Sequence, residues 1–133
     1  MSLTRIITVL RAGQLYYQAA HNLTKGETFL QDHGFLGDAY EAFASAYDSV
    51  AERAVGLGEK PDLLKINTEA AKISSGLKIE DFDGVFEQAL EIEKSLLKEI
   101  ENVGKVSKGT DNLISGLADD SEVRIYKIQQ RLG

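Results

Sequence analysis

The sequence predicts an all-α protein, a four-helix bundle with one long crossover that carries a short extra helix. Four long segments space their apolar residues three and four apart, the period of a helix face. The single proline and most strong turn signals fall between those segments. The link from the second segment to the third, Gly58 to Glu80, is far longer than the other two.

The first helix is expected from about Leu3 to Asn22, with Leu3, Ile7, Leu10, Tyr17 and His21 on one stripe and Gly13 its one weak interior position. After Leu23-Thr-Lys-Gly26, the second opens at Thr28, where Thr28 and Gln31 match a capping box. Its stripe of Leu36, Tyr40, Phe43, Tyr47, Val50, Ala54 and Leu57 needs a partner groove along nearly the whole helix, and Gly58 and Pro61 end it. A short helix is predicted from Asp62 to about Ser74. Asp81 or Asp83 can cap the third long helix, whose stripe of Phe82, Phe86, Ala89, Leu96, Ile100 and Val103 is interrupted by Glu93. Glu93 is either a buried carboxylate with a partner or a sign that the stripe is drawn one position off. Gly104 ends that helix, and the fourth runs from near Ser107 to the end with Leu113, Leu117, Val123, Tyr126, Ile128 and Leu132.

Tightly linked helices pack antiparallel, so the first and second form one hairpin and the third and fourth another. The second helix is about 43 Å long, and the link is long enough to run back along it. An up-down-up-down bundle would not need such a link. The alternative is a three-helix body with the acidic last helix swung onto a partner.

At 133 residues, 43% hydrophobic and 27% charged, residues 1–133 read as a single domain large enough to bury a core. The absence of cysteine excludes thiolate metal sites, iron–sulfur clusters and thiol redox chemistry. No apolar run is long enough for a membrane, and no export signal is evident, so a cytoplasmic protein is expected. A net charge of −6 argues against a large nucleic-acid footprint and would attract cations.

The only two histidines, His21 and His33, stand on either side of the first loop, which folds them together. On the second helix Asp48 and Glu52 form an i, i+4 carboxylate pair, with His33 about 60° away around the helix. Fifteen residues of helix span roughly 22 Å, whereas metal ligands lie near 2 Å from the ion. One metal can join all four residues only if the second helix lies antiparallel against its copy, placing the histidines of one subunit opposite the carboxylates of another. A two-fold dimer then has two sites, and Gly37, Ala44 and Ser45 on the same face would let the helices approach.

In these residues the chain resembles the mini-ferritins, the Dps family of DNA-binding proteins from starved cells. The family's ferroxidase pattern is a histidine, a second twelve on, an aspartate fifteen further and a glutamate four after that, matched by His21, His33, Asp48 and Glu52. Tyr17-Gln-Ala-Ala-His-Asn-Leu-Thr-Lys-Gly26, Val50-Ala-Glu-Arg-Ala-Val55 with Gly58, and Thr110-Asp-Asn-Leu-Ile114 are similar to flanking segments. The resemblance implies a ferritin-like bundle in a homo-oligomeric shell of twelve subunits. It implies di-iron sites at two-fold interfaces, where Fe(II) is oxidised, preferentially by hydrogen peroxide, and stored as ferric mineral. Mixed nitrogen and oxygen ligands suit Fe(II), although zinc, manganese or cobalt could take the same ligands. The four residues are therefore expected to be both the metal ligands and the catalytic centre, with Glu52 as the bridging ligand.

Three departures stand out. The family's tryptophan after the first histidine, thought to absorb oxidising equivalents, is Asn22 here, and the chain has no tryptophan. Tyr16, Tyr17 and Tyr47 are candidate substitutes. A carboxylate often found four residues after the second histidine is Gly37, with Asp38 on a different face. The lysine-rich terminal arm used to bind DNA is missing, so no DNA binding is expected. Asp119 and Asp120, with Asp111 and Glu122, would line a three-fold cation pore on the resemblance, against the plain reading of a solvated helix face. Glu27, Asp32 and Asp38 suit the dipole of the second helix, and Glu41 is at best a carboxylate behind the ligands. Two other functions stay open, a non-catalytic ferritin-like assembly or metal-binding structural protein, and a monomeric module that binds a helical partner.

Overall fold

The structure, a computed structural model, describes residues 2–76 and 81–133. It contains α1 (Thr4–Leu23), α2 (Phe29–Gly56), α3 (Leu63–Ser75), α4 (Phe82–Asn102) and α5 (Lys108–Leu132), with no strand among the described residues. Glu80, the expected end of the link, and the side chain of Phe82 lie outside them.

Ends and starts follow local chemistry. Asp62, Asp81 and Ser107 cap α3, α4 and α5 by accepting from the amides of Lys65, Gly84 and Thr110. Asp81 is thus the cap that the sequence left open between two aspartates. The expected capping box at α2 does not form: the Thr28 side chain makes no cap bond and donates instead to Asp32 Oδ2 at 2.7 Å. Gly58 and Gly104, at φ +87° and +83°, take the left-handed conformation past α2 and α4 that a side chain would resist.

Cross-contacts fix the topology. Tyr16 donates to the Val85 carbonyl while Arg5 reaches Glu99, so α1 and α4 run antiparallel. Asp32 pairs with Arg131 and Arg53 with Thr110, so α2 and α5 do as well. Around the bundle the order is α2, α1, α4, α5, which the single long crossover between α2 and α4 requires. All four long helices join one body, and the three-helix alternative falls away. The crossover runs back opposite to α2, over the length that separates the end of α2 from the start of α4, and it packs on α1 rather than on α2. Its helix α3 packs on α1 through Ile66 and Ala70, and Arg11 bonds Asn67 across that contact.

Leu3 just before α1, Ile7, Leu10 and Tyr17 within it, and Leu36, Phe43 and Val50 of α2, are buried as their spacing predicts, each large apolar side chain contributing roughly 1.5–3 kcal/mol. Gly13 is explained by its neighbour, since a Cβ there would overlap the Phe43 ring. Two stripes need correction. Leu57 is exposed past the core end of α2, and on α5 Val123 and Tyr126 face solvent while Thr110, Ile114, Ser121 and Ile128 are buried. The inner face of α5 carries two hydroxyls, so apolar spacing alone drew the stripe too far round the helix.

Candidate metal centre

The loop 24–28 turns at Gly26, φ +96°, and brings the end of α1 against the start of α2. The His21 and His33 rings stack with centroids 3.8 Å apart and planes 20° from parallel. Each ring's Nδ1 lies within hydrogen-bond distance of the other residue's main-chain oxygen, 2.8 Å for His21 and 3.0 Å for His33. A carbonyl oxygen only accepts, so both Nδ1 atoms carry the proton. In the neutral ring Nε2 then keeps its lone pair, the tautomer that a metal-binding histidine needs. Phe29 stacks on His33 with centroids 4.8 Å apart. Beneath the pair is Gly37, where a Cβ would lie 2.8 Å from His21 Cε1.

Asp48 and Glu52 are exposed, one turn apart on α2, and line a cleft of about 250 Å³ with Tyr47, Ala51, Val55 and Leu63. Among the described residues no three His, Asp or Glu side chains gather within one chain in a way that would hold a metal. The histidine pair, at the junction of α1 and α2, stands apart from the carboxylate pair farther along α2. Between and beyond them the outer face of α2 carries Leu30, Gly34, Gly37, Glu41, Ala44, Ser45, Asp48, Glu52 and Val55, with Leu30 and Val55 79% and 58% exposed.

Inside the bundle, the interrupted stripe of α4 is a buried carboxylate with partners. Glu93 accepts from the Tyr17 hydroxyl at 2.6 Å, Ser121 Oγ at 2.7 Å and Arg124 Nε at 2.8 Å. The guanidinium of Arg124 neutralises it and lies over the Phe43 ring. Burial, then the negative charge of Glu93, pushes the Tyr17 phenol well above its ordinary value, and burial raises Tyr16 too. A second buried acid, Asp32, is held by Thr28 and by Arg131, which also reaches Asp83. It ties the start of α2 to the end of α5 rather than simply complementing a helix dipole. Sequence reasoning missed Ser121, Arg124 and Arg131 as partners; the signal was the acid on an apolar stripe with hydroxyl and guanidinium side chains one turn apart on α5.

Asp119 and Asp120 are both exposed on α5. Asp120 borders an open groove of about 260 Å³ between α2 and α5, shared with Asp38, Arg124 and Lys127. No described helix is long and apolar enough to cross a membrane.

A family model described as the Ferritin-like domain matches residues 2–132. The DNA protection during starvation protein of Helicobacter pylori (strain J99) is 28% identical over 120 residues, covering 84% of this chain and 81% of that protein. By the helix order, the crossover and these matches, the chain belongs to the ferritin-like domain family, as a Dps-like mini-ferritin.

Proposed function

We propose that the chain is a ferroxidase of a hollow homo-oligomer, in which His21 and His33 of one subunit and Asp48 and Glu52 of its two-fold partner bind Fe(II). Hydrogen peroxide oxidises the iron there, and ferric mineral collects inside the shell. The observation that carries this reading is the reciprocal Nδ1 bonding of the histidines, which leaves both Nε2 lone pairs for a metal. Oxygen ligands from Asp48 and Glu52 would neutralise the ion and leave coordination positions for peroxide and a second iron.

The outer face of α2 supports the pairing. Set antiparallel so that His33 meets Glu52, two α2 helices also set Leu30 against Val55, Gly37 against Asp48 and Glu41 against Ala44. Apolar ends would be covered, and small residues would let the backbones approach. Twelve subunits follow the family. Asp119 and Asp120 are proposed as pore carboxylates on the same basis.

Anaerobic Fe(II) titration of the assembled protein, followed by peroxide, tests the reading. Saturable binding and prompt ferric absorbance are expected, and both should vanish in the double variant His33→Ala, Asp48→Ala with helicity retained. Unchanged oxidation in that variant would remove the site assignment. A large shell that binds no iron would leave the non-catalytic assembly as the function.

A further inference from the structure

Phe29 is the first residue of α2, and its side chain is 37% exposed and stands outside the buried core. What it touches is an imidazole: it stacks on His33 with centroids 4.8 Å apart and planes 21° from parallel. His21 stacks on the same ring at 3.8 Å and 20°. Two rings cannot share one face of an imidazole at such distances, so His33 is held between them. The i, i+4 spacing sets Phe29 and His33 on one face of α2. The Phe29 amide donates to the Gly26 carbonyl at 3.1 Å, which fixes where the stack begins.

The stack limits how the histidines can bind. The lone pair of Nε2 lies in the plane of its ring, and a metal sits in that plane about 2 Å away. When two rings lie face to face, an ion in the plane of one stands well out of the plane of the other. One ion can take both imidazoles only if a ring turns. Turning breaks its Nδ1 bond to the opposite carbonyl and its contact with the neighbouring ring. Cu(II) outcompetes Fe(II) for a set of nitrogen and oxygen ligands, and Zn(II) readily takes paired imidazoles, so a preference for iron has to come from geometry.

We propose that Phe29 is a positioning residue that sets the metal specificity of the site: by closing the second face of His33 it keeps the two imidazoles stacked, so that no single Cu(II) or Zn(II) is chelated by both. The inference rests on the reading of His21 and His33 as metal ligands. Phe29 contributes little to the core, so its contact with the imidazole is what its aromatic ring serves. A leucine at the same position would supply apolar bulk, but only a flat ring stacks. Without the stack, His33 is free to turn, and its Nε2 can converge with that of His21 on one ion.

The test is to load the assembled protein with less than one Cu(II) per histidine pair and count the imidazoles on each copper by electron spin-echo envelope modulation, which detects their remote nitrogens. One imidazole per copper is expected in the parent protein and in Phe29→Tyr, which keeps the stack. Two are expected in Phe29→Leu, which keeps apolar bulk without it. Calorimetric Zn(II) titration should follow the same division, with the stoichiometry falling from two ions to one per histidine pair in Phe29→Leu alone. The count in the parent stands whatever the variants do to assembly. Two imidazoles per copper in the parent, one in Phe29→Leu, or a Phe29→Tyr variant that behaves as Phe29→Leu would each overturn the inference while leaving the ligands in place. Copper bound without any imidazole in the parent would overturn the ligand reading and this inference with it.

Discussion

Gly37 and His21 compete for one space: a Cβ on Gly37 would sit 2.8 Å from Cε1 and 2.9 Å from Nδ1 of the imidazole. The ring rests where a side chain would otherwise be, one turn beyond His33 on α2. The missing carboxylate at this position and the placement of the histidine are therefore one structural fact.

Gly37→Ala should displace the His21 ring, break its bond to the His33 carbonyl and lower Fe(II) affinity by about tenfold, the effect of losing a partner that orients a metal ligand. Calorimetric Fe(II) or Co(II) titration checks it. Gly34→Ala is the control, since nothing lies within 4 Å of a Cβ there.

Leu30→Asp with Val55→Asp should leave each subunit folded and prevent its assembly. Both side chains are exposed in the isolated chain, so the fold loses nothing, whereas a two-fold contact would have to bury their charges. Analytical ultracentrifugation with circular dichroism reads both effects.

Arg131→Ala should cost about 2–3 kcal/mol, because it leaves Asp32 buried without its cation; the partial exposure of Arg131 keeps the loss below that of a fully buried pair. Arg5→Ala should cost under about 0.5 kcal/mol, its side chain being 85% exposed beside Glu99. Urea denaturation distinguishes the two.

Alkaline stability follows from the raised phenols. Below pH 10 Tyr16 and Tyr17 are protonated whether the chain is folded or not, and their contribution is complete. Above it the unfolded chain releases protons that the folded chain keeps, so stability falls by about 1.4 kcal/mol per pH unit for each phenol. Tyr17→Phe should roughly halve that slope, measured by denaturation midpoints between pH 9 and 11.

The bundle was legible because Leu3 to Tyr17 and Leu36 to Val50 repeat at the helical period and because Asp62, Asp81 and Ser107 announce their helices. The last helix was less so. Its inner face contains Thr110, Ser121 and Arg124, which serve Arg53 and Glu93 rather than an apolar core, and no rule of hydrophobic spacing anticipates them. The histidine pair was legible from a short loop between two helix ends. What spacing cannot convey is the tautomer, which depends on two carbonyl oxygens, or the empty space at Gly37 into which one ring fits.

The separation of His33 from Asp48 and Glu52 along α2 has a genetic consequence. If each site is completed across a two-fold axis, a chain lacking His33 and a chain lacking Asp48 are defective in different halves. In a mixed pair, one site inherits both defects and the other inherits neither. Co-expressed in equal amounts with random assortment, two inactive variants should restore about a quarter of the normal sites. A site wholly within one chain could show no such complementation.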